Sequence, residues 1–177
     1  MGGEDDCEIS EGEKWVERGL RIAALPLCIA ALVLMIKSKE INDYGALKYN
    51  HIAAFKYLAY ANGIGAGYSV LSAFNSAVPQ SRSLSRAWLV FSFDQAFAYL
   101  ILVAGAVATE VLYLAHKGDE KITWYQMCPY YGRFCNKLGA SLILSFVGCV
   151  CFVILSLISA HRVFSNYDPP RLYKEDQ

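Results

Sequence analysis

Charge is missing from long stretches of this sequence. No Asp, Glu, Lys or Arg occurs from Ile22 to Ile36, from Tyr57 to Ser81 or from Leu138 to Ala160, and from Ala87 to Thr109 there is only Asp94. A net charge is missing too, since 16 basic residues balance 16 acidic ones, and no basic cluster offers a footprint for a nucleic acid. No Walker loop, G-x-S-x-G, H-E-x-x-H or dinucleotide fingerprint is present, so nothing in the sequence supports an enzyme and no cofactor is expected. Histidine is scarce, and His51, His116 and His161 sit at unrelated span edges, which argues for interfacial residues and against a metal site. The first residues, MGGEDDCEISEGEKWVERGL, lack the apolar core of a secretory signal, so the first apolar segment is expected to stay in the mature protein.

What is present is apolar residue: 55% of the 177 residues are hydrophobic and only 18% are charged. That balance suits lipid better than water. Each charge-free stretch, with its flanks, supplies the roughly 20 residues at about 1.5 Å rise that cross a ~30 Å hydrocarbon layer. The expectation is an all-α membrane protein, a four-transmembrane-helix bundle with spans at about 16–36, 53–78, 87–110 and 138–160. These lie in a membrane domain over residues 15–164, between a disordered acidic tail, 1–14, and a C-terminal tail, 165–177. Pro26 implies a local kink in the first span, Pro79 ends the second, and Trp88 marks an interface at the start of the third.

An even number of spans puts both tails on one side. Positive charge does not say which. Lys14, Arg18, Arg21, Arg82, Arg86, Arg162, Arg171 and Lys174 on the tail side match Lys37, Lys39, Lys48, Lys56, Lys117, Lys121, Arg133 and Lys137 on the other in number. Two features break the tie: the middle loop carries Arg82 and Arg86 with no acid, and the last loop carries Cys128 and Cys135. A loop cysteine pair fits a disulfide outside the cell better than two free thiols inside it. Both termini are therefore expected in the cytosol. Cys28, Cys149 and Cys151 fall within spans and read as core residues, and no histidine is suitably placed to complete a metal site with Cys128 and Cys135.

Asp94 carries the most information. An acid inside a span costs at least ~2.5 kcal/mol at helix centre, so it needs a partner or a water-filled cavity. Arg21 lies at a depth only about 4 Å different from the same edge, within reach of its side chain. The pair Arg21–Asp94 either fixes the register of the first and third helices or belongs to a proton or cation site. Gln95, Asn62 and Ser92 are the polar candidates to join it, while Ala98, Ile101 and Gly105 continue its face as an apolar stripe. Glu110 stands about 160° round the helix from Asp94, at the depth of Lys56. Lys56–Glu110 is a candidate outer-edge pair, or two solvated side chains. Gly63, Gly65 and Gly67 give the second span a small-residue surface, for packing inside the bundle or against another copy.

The segments VERGLRIAALPLCIAALVLMIK, AFKYLAYANGIGAGYSVLSAF, SRAWLVFSFDQAFAYLILVAGAVATEVLYLAHKGDEKITW and FCNKLGASLILSFVGCVCFVILSLISAHRVFSNYD resemble, in order, spacing and loop length, the plant Casparian strip membrane domain protein-like family. Its second subgroup is the most similar, and the family is related in layout to MARVEL four-helix domains. The resemblance implies a multi-pass plasma-membrane scaffold with cytosolic termini that forms homo- and hetero-oligomers. It implies that Arg21 and Asp94 are the family's signature charges. Founding members organise an immobile platform where cell-wall enzymes such as peroxidases deposit lignin. The first outer loop here, SKEINDYGALKYNHIAAF, lacks the conserved segment of the strip-forming members, which points to a scaffold elsewhere.

Overall fold

The computed structural model describes residues 11–42, 45–77, 84–119 and 124–165. Four helices dominate it: α1 (Glu11–Ile36), α2 (Ala53–Ala77), α3 (Leu84–Lys117) and α4 (Gly132–Ser165). Three of them, over Trp15–Ile36, Ala87–Lys117 and Gly132–Ser165, are long and apolar enough to cross a membrane. This is an all-α membrane protein. The helix α2 is 25 residues long but is diluted by Asn62, three glycines and three tyrosines, which keeps it short of the mean hydropathy that the other three reach. The tails expected at 1–14 and 165–177 are shorter than the sequence suggests, since α1 takes in residues 11–14 and α4 ends on Ser165; the rest of both tails and the middle loop with Arg82 lie outside the described residues.

The helices pack in a ring, each against its neighbours in sequence, with α4 closing on α1. Successive helices run antiparallel, as paired positions show: Cys28 approaches Gly65 and Gly148, while Arg21 meets Ser72, Leu32 lies by Gly63, and Phe146 lies by Gly105. Consequently the start of α1 and the end of α4 share one end, here the terminal end. The loops after α1 and α3 share the other, the loop end. At the centre all four helices converge on Gly65, where an added Cβ would stand 3.3 Å from Ile101, 3.6 Å from Cys28 and 3.8 Å from Phe152. Gly105 serves the same purpose between α3 and α4, since a Cβ there would meet the Phe146 ring at 3.1 Å.

Helices α3 and α4 are each 34 residues long, about 51 Å at the α-helical rise, and overrun a ~30 Å hydrocarbon layer. Sequence reading places the spans within them and misses the overrun, because helix propensity continues where apolarity stops. The overrun carries structure at the loop end. A hairpin, β1 (Lys39–Asn42) and β2 (Gly45–Lys48), pairs antiparallel with Lys39 opposite Lys48 and Ile41 opposite Ala46, an addition to the all-α expectation. Glu40 Oε2 accepts the Phe134 N–H at 2.9 Å in the first turn of α4, supplying a cap that the helix cannot make for itself. Gly118, at φ +68°, turns the chain out of α3, and a Cβ there would lie 2.9 Å from the Trp124 carbonyl.

Candidate functional site

The terminal end of the bundle holds a buried charge cluster built by all four helices. Arg21 on α1 is 2% exposed and Asp94 on α3 is fully buried. Arg21 Nη2 donates to Asp94 Oδ2 at 3.2 Å and Nη1 to Oδ1 at 3.4 Å. One turn before Arg21, Glu17 Oε1 accepts from Arg21 Nε at 3.2 Å and from Nη2 at 3.1 Å. Helix α2 adds Ser72, whose Oγ accepts from Arg21 Nη1, and Tyr68, whose hydroxyl donates to Asp94 Oδ1 at 2.6 Å. Helix α4 adds Ser159, donating to Asp94 Oδ2 at 3.2 Å, and Arg162, whose Nη2 donates to Glu17 Oε2.

The chemistry of Asp94 follows from that geometry. A carboxylate has about four lone-pair positions, and Asp94 uses them on Tyr68, Ser159 and both Arg21 nitrogens. With Glu17, Arg21 and Arg162 it forms two acids against two bases, a neutral group with every partner at hydrogen-bond distance. Burial of a charge is tolerated when it is paired and hydrogen-bonded in this way. Aromatic packing seals the site: Tyr68 stacks on Phe97 at 4.5 Å, and Phe152 stands 6.2 Å from Tyr68.

Reading the sequence alone underestimates this polar company. Of the candidates named there, Ser92 is exposed, Gln95 accepts from Ser156 Oγ, and Asn62 sits farther along the interior, donating to Ser145 Oγ at 2.8 Å. The residues that do reach Asp94 are Tyr68 and Ser159, brought by the rotation of α2 and α4 about their axes. Two signals were available: Glu17 and Arg21 stand at i, i+4, and Ser141, Ser145, Ser156 and Ser159 share one buried face of α4. Lys56 and Glu110 are both exposed, and no ion pair joins them.

The three glycines of α2 divide. Gly65 faces the centre, Gly63 lies 3.7 Å from Leu32 of α1, and Gly67 is exposed with nothing near it. Cys28, Cys149 and Cys151 are buried thiols in the bundle. At the loop end Cys128 and Cys135 form a disulfide, with Cα atoms 5.8 Å apart. The structure also corrects the reading that no histidine accompanies this pair: a ring nitrogen of His116 and both sulfurs lie within 4.8 Å of one another. Eleven residues separate His116 from Cys128 in sequence. The reversal of the chain at Gly118, where Asp119 and Trp124 bridge, removes that separation.

A family model described as the Casparian strip membrane protein domain matches residues 10–151, a range that includes Arg21, Asp94 and the disulfide. The chain is similar to CASP-like protein 2A3 of Picea sitchensis, with 68% identity over 93% of this chain and 92% of the relative. It is also similar to CASP-like protein 2A2 of the same species, at 59% identity over 85% of this chain and 76% of the relative, and to CASP-like protein 2A1 of Vitis vinifera, at 48% over 96% and 82%. No solved structure matches the chain. A membrane protein of apolar helices whose relatives align along nearly its whole length, this chain belongs to the Casparian strip membrane domain family.

Proposed function

We propose that the chain is a non-enzymatic scaffold of the plasma membrane, crossing it four times as a MARVEL-like bundle with both termini in the cytosol. It oligomerises with its own copies and with related four-span proteins, organises membrane domains and positions cell-wall-modifying enzymes. The observation that carries this reading is the closed hydrogen-bond account of Asp94, which leaves its carboxylate no free position for a passing ion. The cluster then acts as a clamp that fixes the four helices to one another. The disulfide supports the orientation, since such bonds persist in oxidising compartments and this one lies at the end opposite the termini. The outward face of α2, with Tyr60, Ile64, Gly67, Leu71 and Phe74 exposed, offers a lipid- or helix-facing surface for assembly.

Photobleaching recovery in cells, combined with cross-linking of the protein in lipid, tests the proposal. Slow recovery and cross-linked oligomers are expected. Fast recovery of a monomeric species overturns it.

One observation favours a second reading, a small channel or a proton- or cation-coupled carrier using Asp94. Polar groups follow one another along the interior, from the cluster through Gln95–Ser156 to Asn62, Ser145 and Ser141. Under that reading proton or cation flux in liposomes appears with the native protein and disappears in Asp94→Asn.

A further inference from the structure

We propose that the dithiol form of Cys128 and Cys135, together with His116, is a binding site for a zinc-class divalent cation. The three residues come from different elements: His116 from the last turn of α3, Cys128 from the turn that follows, and Cys135 from the first turn of α4. Backbone bonds hold them together independently of the disulfide. Met127 N and Cys128 N both donate to the Ala115 carbonyl, at 2.9 and 3.1 Å, which fixes Cys128 beside the helical turn that carries His116. Tyr131 N donates to the Met127 carbonyl at 3.0 Å and Cys135 N to the Tyr131 carbonyl at 3.1 Å, which carries the same frame into α4. Opening the sulfur–sulfur bond therefore frees two ligand atoms in a loop that keeps its backbone ties.

The donor set suits a borderline-soft cation. Zinc takes sulfur at about 2.3 Å and imidazole nitrogen at about 2.0–2.1 Å in a tetrahedron. The two sulfurs and the ring nitrogen already lie within 4.8 Å of one another, so small side-chain rotations bring them round one ion. Two thiolates and a neutral imidazole balance a divalent charge. With Pro129, Gly132 and Asn136 the three ligands line an open pocket of about 310 Å³, which leaves room for water or a small ligand as the fourth ligand.

The disulfide and the metal form exclude each other, because each sulfur bonds either to its partner or to the cation. Conversion takes two electrons and two protons per disulfide, delivered by a dithiol or phosphine reductant. Metal binding then displaces the two thiol protons to solvent. The site is thus present only when the loop end is reduced.

The test uses the full chain in lipid nanodiscs, reduced with a phosphine that is then removed, with cobalt(II) as the probe. One equivalent of cobalt is expected to give thiolate-to-metal charge-transfer and tetrahedral ligand-field bands, which zinc then bleaches. The unreduced protein gives none. His116→Ala weakens cobalt binding by about 100-fold or more, since even an outer-shell partner's loss costs 10–100-fold. A variant with Cys7→Ser, Cys28→Ser, Cys149→Ser and Cys151→Ser keeps the native spectrum. Should that variant not fold, alkylation of reduced native protein in membranes gives the same information: zinc protects Cys128 and Cys135 together, and does so poorly in His116→Ala. Absence of the cobalt bands in the reduced protein, or binding and protection unchanged by His116→Ala, overturns the proposal.

Discussion

A buried arginine between two carboxylates is stable only as long as each member keeps its partners. Removing one partner of a buried pair costs about 3–5 kcal/mol, so Arg21→Gln is expected to destabilise the bundle by that order in a reversible unfolding titration in mixed micelles. Asp94→Asn is expected to cost less than the sum suggests when combined with Arg21→Gln, because the double change removes both charges at once; a double-mutant cycle reads the coupling. Tyr68→Phe deletes one donor to an ionised carboxylate and is expected to cost about 1.5–3 kcal/mol in the same titration. Of the cluster, only Arg21 and Asp94 were read from the sequence, although the i, i+4 spacing of Glu17 and Arg21 and the serine face of α4 were there to be used. Their common depth follows from counting along each helix from its edge, whereas the approach of Tyr68 and Ser159 depends on how α2 and α4 rotate, which no single helix encodes. The same limit applies to Lys56 and Glu110, where equal depth alone did not bring two exposed side chains into an ion pair.

Between elements, the close approaches are where small residues matter. Gly105→Ala pushes a methyl to 3.1 Å from the Phe146 ring, and overpacking of this kind costs about 1–3 kcal/mol, whereas Gly67→Ala meets nothing and is expected to be neutral for the monomer. Comparing thermal stability of the two variants in one detergent checks the contrast. If Gly67→Ala lowers cross-linking in lipid while leaving monomer stability unchanged, its face is the one copies use. The loop end adds a contact of another kind, the Glu40 cap on α4. Loss of a helix cap costs about 1 kcal/mol, so Glu40→Ala is expected to raise amide exchange in the hairpin and at the start of α4 together. The helices themselves were legible because charge vanishes along their apolar stretches. The hairpin was not, since four-residue strands rich in lysine carry no alternation strong enough to separate them from a loop.

For the molecule as a whole, the two ends of the bundle are closed by different means, ions at the terminal end and a covalent bond at the loop end. A disulfide spanning a sequence separation of 7 stabilises by roughly 2 kcal/mol on the chain-entropy account, and Cys128→Ser with Cys135→Ser is expected to lose about that much in unfolding free energy. The same reagent that opens this end leaves the ionic end untouched. The ionic end has a further property. Glu17, Arg21, Asp94 and Arg162 sum to zero charge at one depth. An elementary charge in the full membrane potential gains about 2.3 kcal/mol per 100 mV, but a neutral set at one depth gains nothing. These four charges, which tie the helices together at this end, therefore present membrane voltage with no net charge to act on, and depolarisation does no net work on them.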